Sequence, residues 1–135
     1  MNKKISQITA SINSNIRETM ILINDAAPKG VPSGIALVTD NDNTLIGIVT
    51  DGDIRRALVN KIDMETRIEE IMVRDPITVP KGLSESEMIE LARKKTKASL
   101  RLKDEKVDKV IVVDNEGRVD DVINFFDLWK ASDIK

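Results

Sequence analysis

The sequence predicts an α/β (α+β) protein built from two tandem copies of one unit, each a small sheet with flanking helices. Three observations carry that expectation. The string LVTDNDNTLIGIVTDGDIRRA, ending at Ala57, aligns without a gap with IVVDNEGRVDDVINFFDLWKA, ending at Ala131, an offset of 74. Within each copy, continuous apolar runs alternate with stretches of helical periodicity, the pattern of buried strands and amphipathic helices. The chain has 135 residues, 41% hydrophobic and 33% charged, a globular composition long enough to bury a core without staples.

Taken in order, each copy begins with a short strand, about residues 4–9 and 76–79, with Ile5-Ser6 set against Ile77-Thr78 at an offset of 72. A helix follows. In the first copy Ile12, Ile16, Met20 and Ile23 form one stripe, and Asn15 with Glu18 resembles a capping pair. In the second, Ser84 to Glu87 is a capping box ahead of Met88, Leu91 and Ala92. Next come two strands, Ile35 to Val38 and Val110 to Val113 being the first of each pair, apolar enough to be buried. Turns rich in Asp and Asn, Asp40 to Thr44 and Asn115 to Arg118, separate the strands. A last helix opens near Asp51 in copy one. Between the copies, Thr66 to Glu69 reads as another capping box, opening a short helix to about Val73, and Asp75-Pro76 breaks it. Pro28 and Pro32 bracket a loop, and Arg93 to Lys109 is either a lengthened helix or a loop. The expected division is residues 1–65 and 66–135.

Composition removes whole classes of chemistry. There is no Cys and no His, so thiol nucleophiles, His bases, disulfides and Cys/His zinc sites are excluded. Net charge is −2, without the basic excess of a nucleic-acid or anionic-membrane binder, so neither partner is expected. No apolar run reaches spanning length and no export signal is legible, which makes a cytoplasmic location the expectation. Asp40, Asp42 and Thr44 share the early spacing of a calcium loop, but Leu45 stands where that loop needs Gly, and no metal is expected. Phosphate-loop and dinucleotide glycine patterns are missing. All three aromatic residues, Phe125, Phe126 and Trp129, lie together near the end and suit a core or interface cluster.

The richest local signal is Gly47 to Arg56, GIVTDGDIRR. A strand ending at Thr50 and a helix starting at Asp51 to Asp53 expose backbone N–H groups at a positive helix end, a natural seat for phosphate. A carboxylate there accepts bonds from a ribose diol, a Thr hydroxyl adds to it, and Arg55 or Arg56 neutralises phosphate. Consecutive helical residues point about 100° apart, so one of the two arginines faces a given ligand. The alternative is plain: Asp51 and Asp53 cap the helix and the arginines are a solvated face. Asp127 recurs at the position of Asp53, whereas Asp51 and Gly52 become Phe125 and Phe126.

GIVTDGDIRRAL, with its weaker copy ending INFFDLWK, resembles the cystathionine-β-synthase (CBS) domain in tandem, a Bateman module, over about Ile5 to Ala131. It looks most like the pairs attached to sugar-phosphate nucleotidyltransferases and arabinose-5-phosphate isomerases. The resemblance implies two motifs related by pseudo-twofold symmetry and a regulatory, non-catalytic role with no required cofactor. It also implies an adenosine-containing ligand such as AMP, ADP, ATP or S-adenosylmethionine in a cleft between motifs, and association as a homodimer. By the same resemblance Thr50 and Asp53 hold ribose, with Arg55 and Arg56 near phosphate, and Asn124 and Asp127 form a second set. That second set is weaker, since Gly47 becomes Asp121, Thr50 becomes Asn124, and Arg55-Arg56 becomes Trp129-Lys130. Two other readings stand beside it: a ligand-free dimerisation module, and the regulatory piece of a sugar-phosphate nucleotidyltransferase.

Overall fold

Asp40 and Asp114 each fold a hairpin turn with their own carboxylate. Asp40 Oδ1 accepts from the N–H groups of Asp42 and Thr44 at 2.9 and 3.0 Å, and Asp114 Oδ1 accepts from Glu116 and Arg118 at 2.8 and 3.0 Å. Asn43 (φ 64°) and Gly117 (φ 81°) take the left-handed conformation that each turn requires. The recurring aspartate is therefore a turn residue, and among the described residues no three His, Cys, Asp or Glu groups are placed to hold a metal ion. The computed structural model describes residues 3–29, 34–98 and 109–124.

Two compact units result, Met1–Pro76 and Ile77–Lys135. In the first, α1 (Lys3–Ser6), β1 (Thr9–Ser11) and α2 (Ile16–Ala26) precede the hairpin β2 (Ile35–Thr39) and β3 (Leu45–Thr50). α3 (Asp51–Val59) and β4 (Val73–Arg74) complete it, and the sheet order is β1-β2-β3-β4. β1 runs parallel to β2, and the other pairs are antiparallel. In the second unit, β5 (Thr78–Pro80), α4 (Glu85–Ala98), β6 (Lys109–Val113) and β7 (Val119–Asn124) give the order β5-β6-β7, again with a parallel pair followed by an antiparallel one. Even the register irregularity recurs, at Val38/Thr39 and at Val112/Val113, 74 residues apart.

The long helices start where their sequences say. Asn15 and Glu18 form a reciprocal capping box (Asn15 Oδ1 from Glu18 N, 2.8 Å; Glu18 Oε1 from Asn15 N, 3.0 Å), and Ser84 with Glu87 forms another. Ile16, Ile23, Ala36, Val38, Val49, Ile54, Ile68 and Met72 make the first core, with Ile12 and Met20 packed against it. Val79, Met88, Ile89, Ala92, Val110 and Val112 make the second.

Three local expectations are corrected. Residues 3–6 are helical, and the first strand begins at Thr9. Thr9 pairs with Leu37 as Thr78 pairs with Ile111, so the upstream elements correspond at an offset of 69 and not 72. Thr66 caps nothing: the turn near it is a three-residue 3₁₀ helix, Ile68–Glu70, whose preceding residue Arg67 makes no side-chain cap. Glu69 is taken by Arg67 at 3.2 Å and Arg74 at 4.0 Å. α4 continues to Ala98, and the rest of the charged stretch up to residue 108 lies outside the described residues.

The packing boundary also falls later than the boundary drawn from the repeat, after residue 76 and not after 65. Ile68 and Met72 join the first core, and Val73–Arg74 pairs with Ile48 and Gly47, which ties residues 66–76 to the first unit.

Candidate functional site

β3 ends at Thr50 and α3 starts at the next residue, so the strand-to-helix turn has no spare length. Thr50 is the N-cap and Asp53 the third helical residue, and the two close a capping box. Asp53 Oδ2 accepts from Thr50 N at 2.9 Å and from Thr50 Oγ1 at 3.0 Å, while Thr50 Oγ1 accepts from Asp53 N at 3.3 Å. Asp53 Oδ1 accepts from Arg56 Nη2 at 2.6 Å. The Asp53 side chain is 10% exposed and that of Arg56 60% exposed. The helix-capping reading of Asp53 is thus realised in the structure.

The two arginines part company. Arg56 belongs by sequence to the last turn of α3, but its guanidinium folds back to Asp53 in the first. Arg55 is exposed and has no hydrogen-bond or ion-pair partner among the described residues. A Cβ at Gly52 would make only ordinary contacts, 3.4 Å from Arg56 Nη1 and 3.7 Å from Thr50 Oγ1, so the arrangement does not depend on a glycine there. Gly34, which sequence reasoning passed over, braces the turn from outside. Its carbonyl accepts from Asp51 N at 3.1 Å, and its φ of 76° suits glycine. The Asp53–Arg56 pair was also missed, although an acid three residues ahead of an arginine on a helix is a readable signal.

Thr50, Asp53 and Arg56 therefore come together on one turn, and Arg55 stands exposed on the same helix without contact to them. Asn124 ends β7 opposite Lys109, as Thr50 ends β3 opposite Ile35, so its backbone place in the repeat matches. Asp127, with Phe125, Phe126 and Trp129, lies outside the described residues. Gly47 serves packing and not the turn: a Cβ there would lie 2.7 Å from Met72 Sδ and 2.9 Å from the Val73 carbonyl. Asp121 occupies the matching register position in β7, whose outer edge pairs with no strand among the described residues, so a side chain fits there. Two carboxyls away from the turn are held below their ordinary values by hydrogen bonds. The Ser84 N–H and hydroxyl act on Glu87, and the Arg118 and Glu116 N–H groups act on Asp114.

Fold and turn together define a class: tandem repeats whose second hairpin strand ends in Thr50 in one copy and Asn124 in the other. The family model of the CBS domain matches residues 1–60. Residues 1–60 thus carry a CBS domain, and the second unit repeats its pattern of a parallel strand pair followed by an antiparallel one. Over 117 residues it is 34% identical to an arabinose 5-phosphate isomerase of Francisella tularensis, covering 86% of this chain and 31% of the isomerase. The chain thus spans about a third of that relative's length. A CBS domain protein from Pyrobaculum aerophilum complexed with AMP superposes with a TM-score of 0.69 at 21% identity, covering 89% of this chain and 81% of that one. The cytosolic domain of the Mg2+ channel MgtE in complex with ATP gives 0.72 at 21% identity, covering 92% and 44%. Among the described residues no helix is long and apolar enough to cross a membrane.

Proposed function

We propose that this chain is a regulatory module that senses an adenine nucleotide, with ribose on Thr50 and Asp53 and phosphate drawn by Arg55 and Arg56. The observation that carries this reading is the turn itself. A hydroxyl and a carboxylate are locked side by side by a capping box, with a free guanidinium at Arg55 one turn away. Proteins of the same fold that were solved with AMP and with ATP support the choice of ligand. Asn124 and Asp127 form a second, weaker set, because Arg55-Arg56 gives way to Trp129-Lys130 there. Binding stabilises one arrangement of the module and passes it to a fused or associated enzyme domain acting on a sugar phosphate, an isomerase or a nucleotidyltransferase. In this reading the module works in the cytoplasm as a homodimer, which light scattering tests as twice the 15.0 kDa chain mass.

Calorimetry tests the ligand. AMP, ADP, ATP and S-adenosylmethionine are titrated into the wild type, Asp53→Ala and Asp127→Ala. Tight binding lost in Asp53→Ala and kept in Asp127→Ala supports the assignment, and the reverse pattern inverts it. No heat from any of the four at millimolar concentration ends it. A second reading, a ligand-free dimerisation module, is favoured by one observation: the Asp53 carboxylate already has internal donors on both oxygens.

A further inference from the structure

A carboxylate offers about four lone-pair sites, and in Asp53 three are taken, by Thr50 N, Thr50 Oγ1 and Arg56 Nη2. A ribose diol brings two donors, one more than the remaining site accepts. The Thr50 bonds belong to the helix cap and hold Oδ2 against the strand end, whereas Arg56 is a mostly exposed side chain on Oδ1. The group that must leave is Arg56. Its position is also held against the local field. The guanidinium lies beside Gly52 in the first turn of α3, where the helix presents its positive end, although its backbone sits in the last turn, where a cation is favoured. An anion offsets that field, and here Asp53 is the anion.

We infer that the Arg56–Asp53 ion pair is a selectivity gate that admits a phosphate-bearing nucleotide in preference to the bare nucleoside. The inference rests on the nucleotide reading of this turn. A ligand with a 5′-phosphate replaces the partner that Arg56 loses, so the ion pair is exchanged and not spent. Adenosine or another uncharged nucleoside takes the carboxylate and returns the exposed guanidinium to solvent with no anion in exchange. The gate thus follows from one cation choosing between two anions. Arg55, which has no internal partner, adds attraction for phosphate without obstructing the diol.

The experiment titrates AMP and adenosine into the full chain as wild type, Arg56→Gln and Arg55→Gln. Wild type is expected to bind AMP at least tenfold more tightly than adenosine, on the scale of one charge-assisted bond. In Arg56→Gln adenosine should bind about two- to fivefold more tightly, the worth of an exposed ion pair no longer broken, while AMP weakens. In Arg55→Gln only AMP should weaken. Adenosine binding unchanged or weakened in Arg56→Gln, with AMP still bound by the wild type, would overturn the gate and leave the nucleotide reading standing. Absence of binding by both ligands in all three proteins would overturn the reading and the gate with it. Arg56→Lys gives the same comparison with a smaller shift, so the test survives if the glutamine variant misfolds.

Discussion

Replacing Gly47 by Ala places a methyl group 2.7 Å from Met72 Sδ and 2.9 Å from the Val73 carbonyl oxygen. To restore a contact of 3.4 Å, the sulfur must retreat by about 0.7 Å (3.4 − 2.7) and the carbonyl by about 0.5 Å (3.4 − 2.9). Met72 can bend away, but the carbonyl is backbone. It belongs to β4, which holds β3 through two residue pairs only, Gly47 with Arg74 and Ile48 with Val73. Moving that carbonyl disturbs the whole two-residue ladder and the buried Met72 with it. Overpacking of this kind costs about 1–3 kcal/mol. For a first unit of 76 residues, at about 4–8 °C per kcal/mol, the melting temperature should fall by about 5–20 °C. Circular dichroism melts of wild type, Gly47→Ala and Asp121→Ala measure it, with Asp121 the position-matched control where no fourth strand pairs among the described residues. Below the melt, Gly47→Ala should keep the nucleotide affinity of the wild type. The reasoning is refuted if Gly47→Ala melts within 1 °C of wild type, or if it loses nucleotide binding while its melt is unchanged.

Thr50→Ala removes the cap hydroxyl and should cost about 1 kcal/mol, whereas Thr50→Ser keeps the oxygen and should cost much less. Equal losses in urea midpoint for the two variants would show that the hydroxyl does not cap. The carboxyls of Glu87 and Asp114 have folded-state values below their ordinary 4.5 and 3.8, so each contributes stability above its unfolded value. That contribution disappears as pH falls through the lowered folded value. Urea midpoints measured from pH 6 down to pH 2.5 should therefore decline in the wild type and decline less steeply in Glu87→Gln/Asp114→Asn, and parallel curves would dismiss both groups.

The hairpins were legible because their determinants are local. Asp40 and Asp114 bond within four residues, and the buried strands beside them are continuous apolar runs. The capping boxes at Asn15 and Ser84 were legible for the same reason. Where pairing partners are distant the sequence said less. β1 is three residues long, too short for periodicity to show, and its place is set by Leu37 and not by anything nearby. Thr66 has the spacing of a cap, but its carbonyl is taken by Ile16 N, its N–H by Asp63 O, and Ile68 N reaches Ser14 O. The segment is thus strapped across the start of α2, and those bonds override the local motif. Gly47 shows the same limit for function, since a missing Cβ does not say whether a ligand or a strand needs the space.

The Thr50-to-Asp53 spacing could not by itself choose between cap and ligand site, because the two uses place the same atoms in the same way. An N-cap hydroxyl and a carboxylate three residues on are what a capping box requires, and they are also a hydroxyl and a carboxylate poised beside a helix N-terminus. The recurrence of Asn124 and Asp127 at an offset of 74 does not break the tie, because Asn is as good a cap as Thr. The capping bonds use Oδ2 and the N–H of Thr50, and they hold Oδ1 in a fixed direction where Arg56 meets it. Capping therefore orients the carboxylate that a ribose would use, so the two roles coexist. What distinguishes the copies is a second cation: Arg55 stands beside Arg56 in one, whereas Trp129 stands beside Lys130 in the other. A helix cap has no need of that cation, and a phosphate does, so the discriminating experiments are the ones that change an arginine.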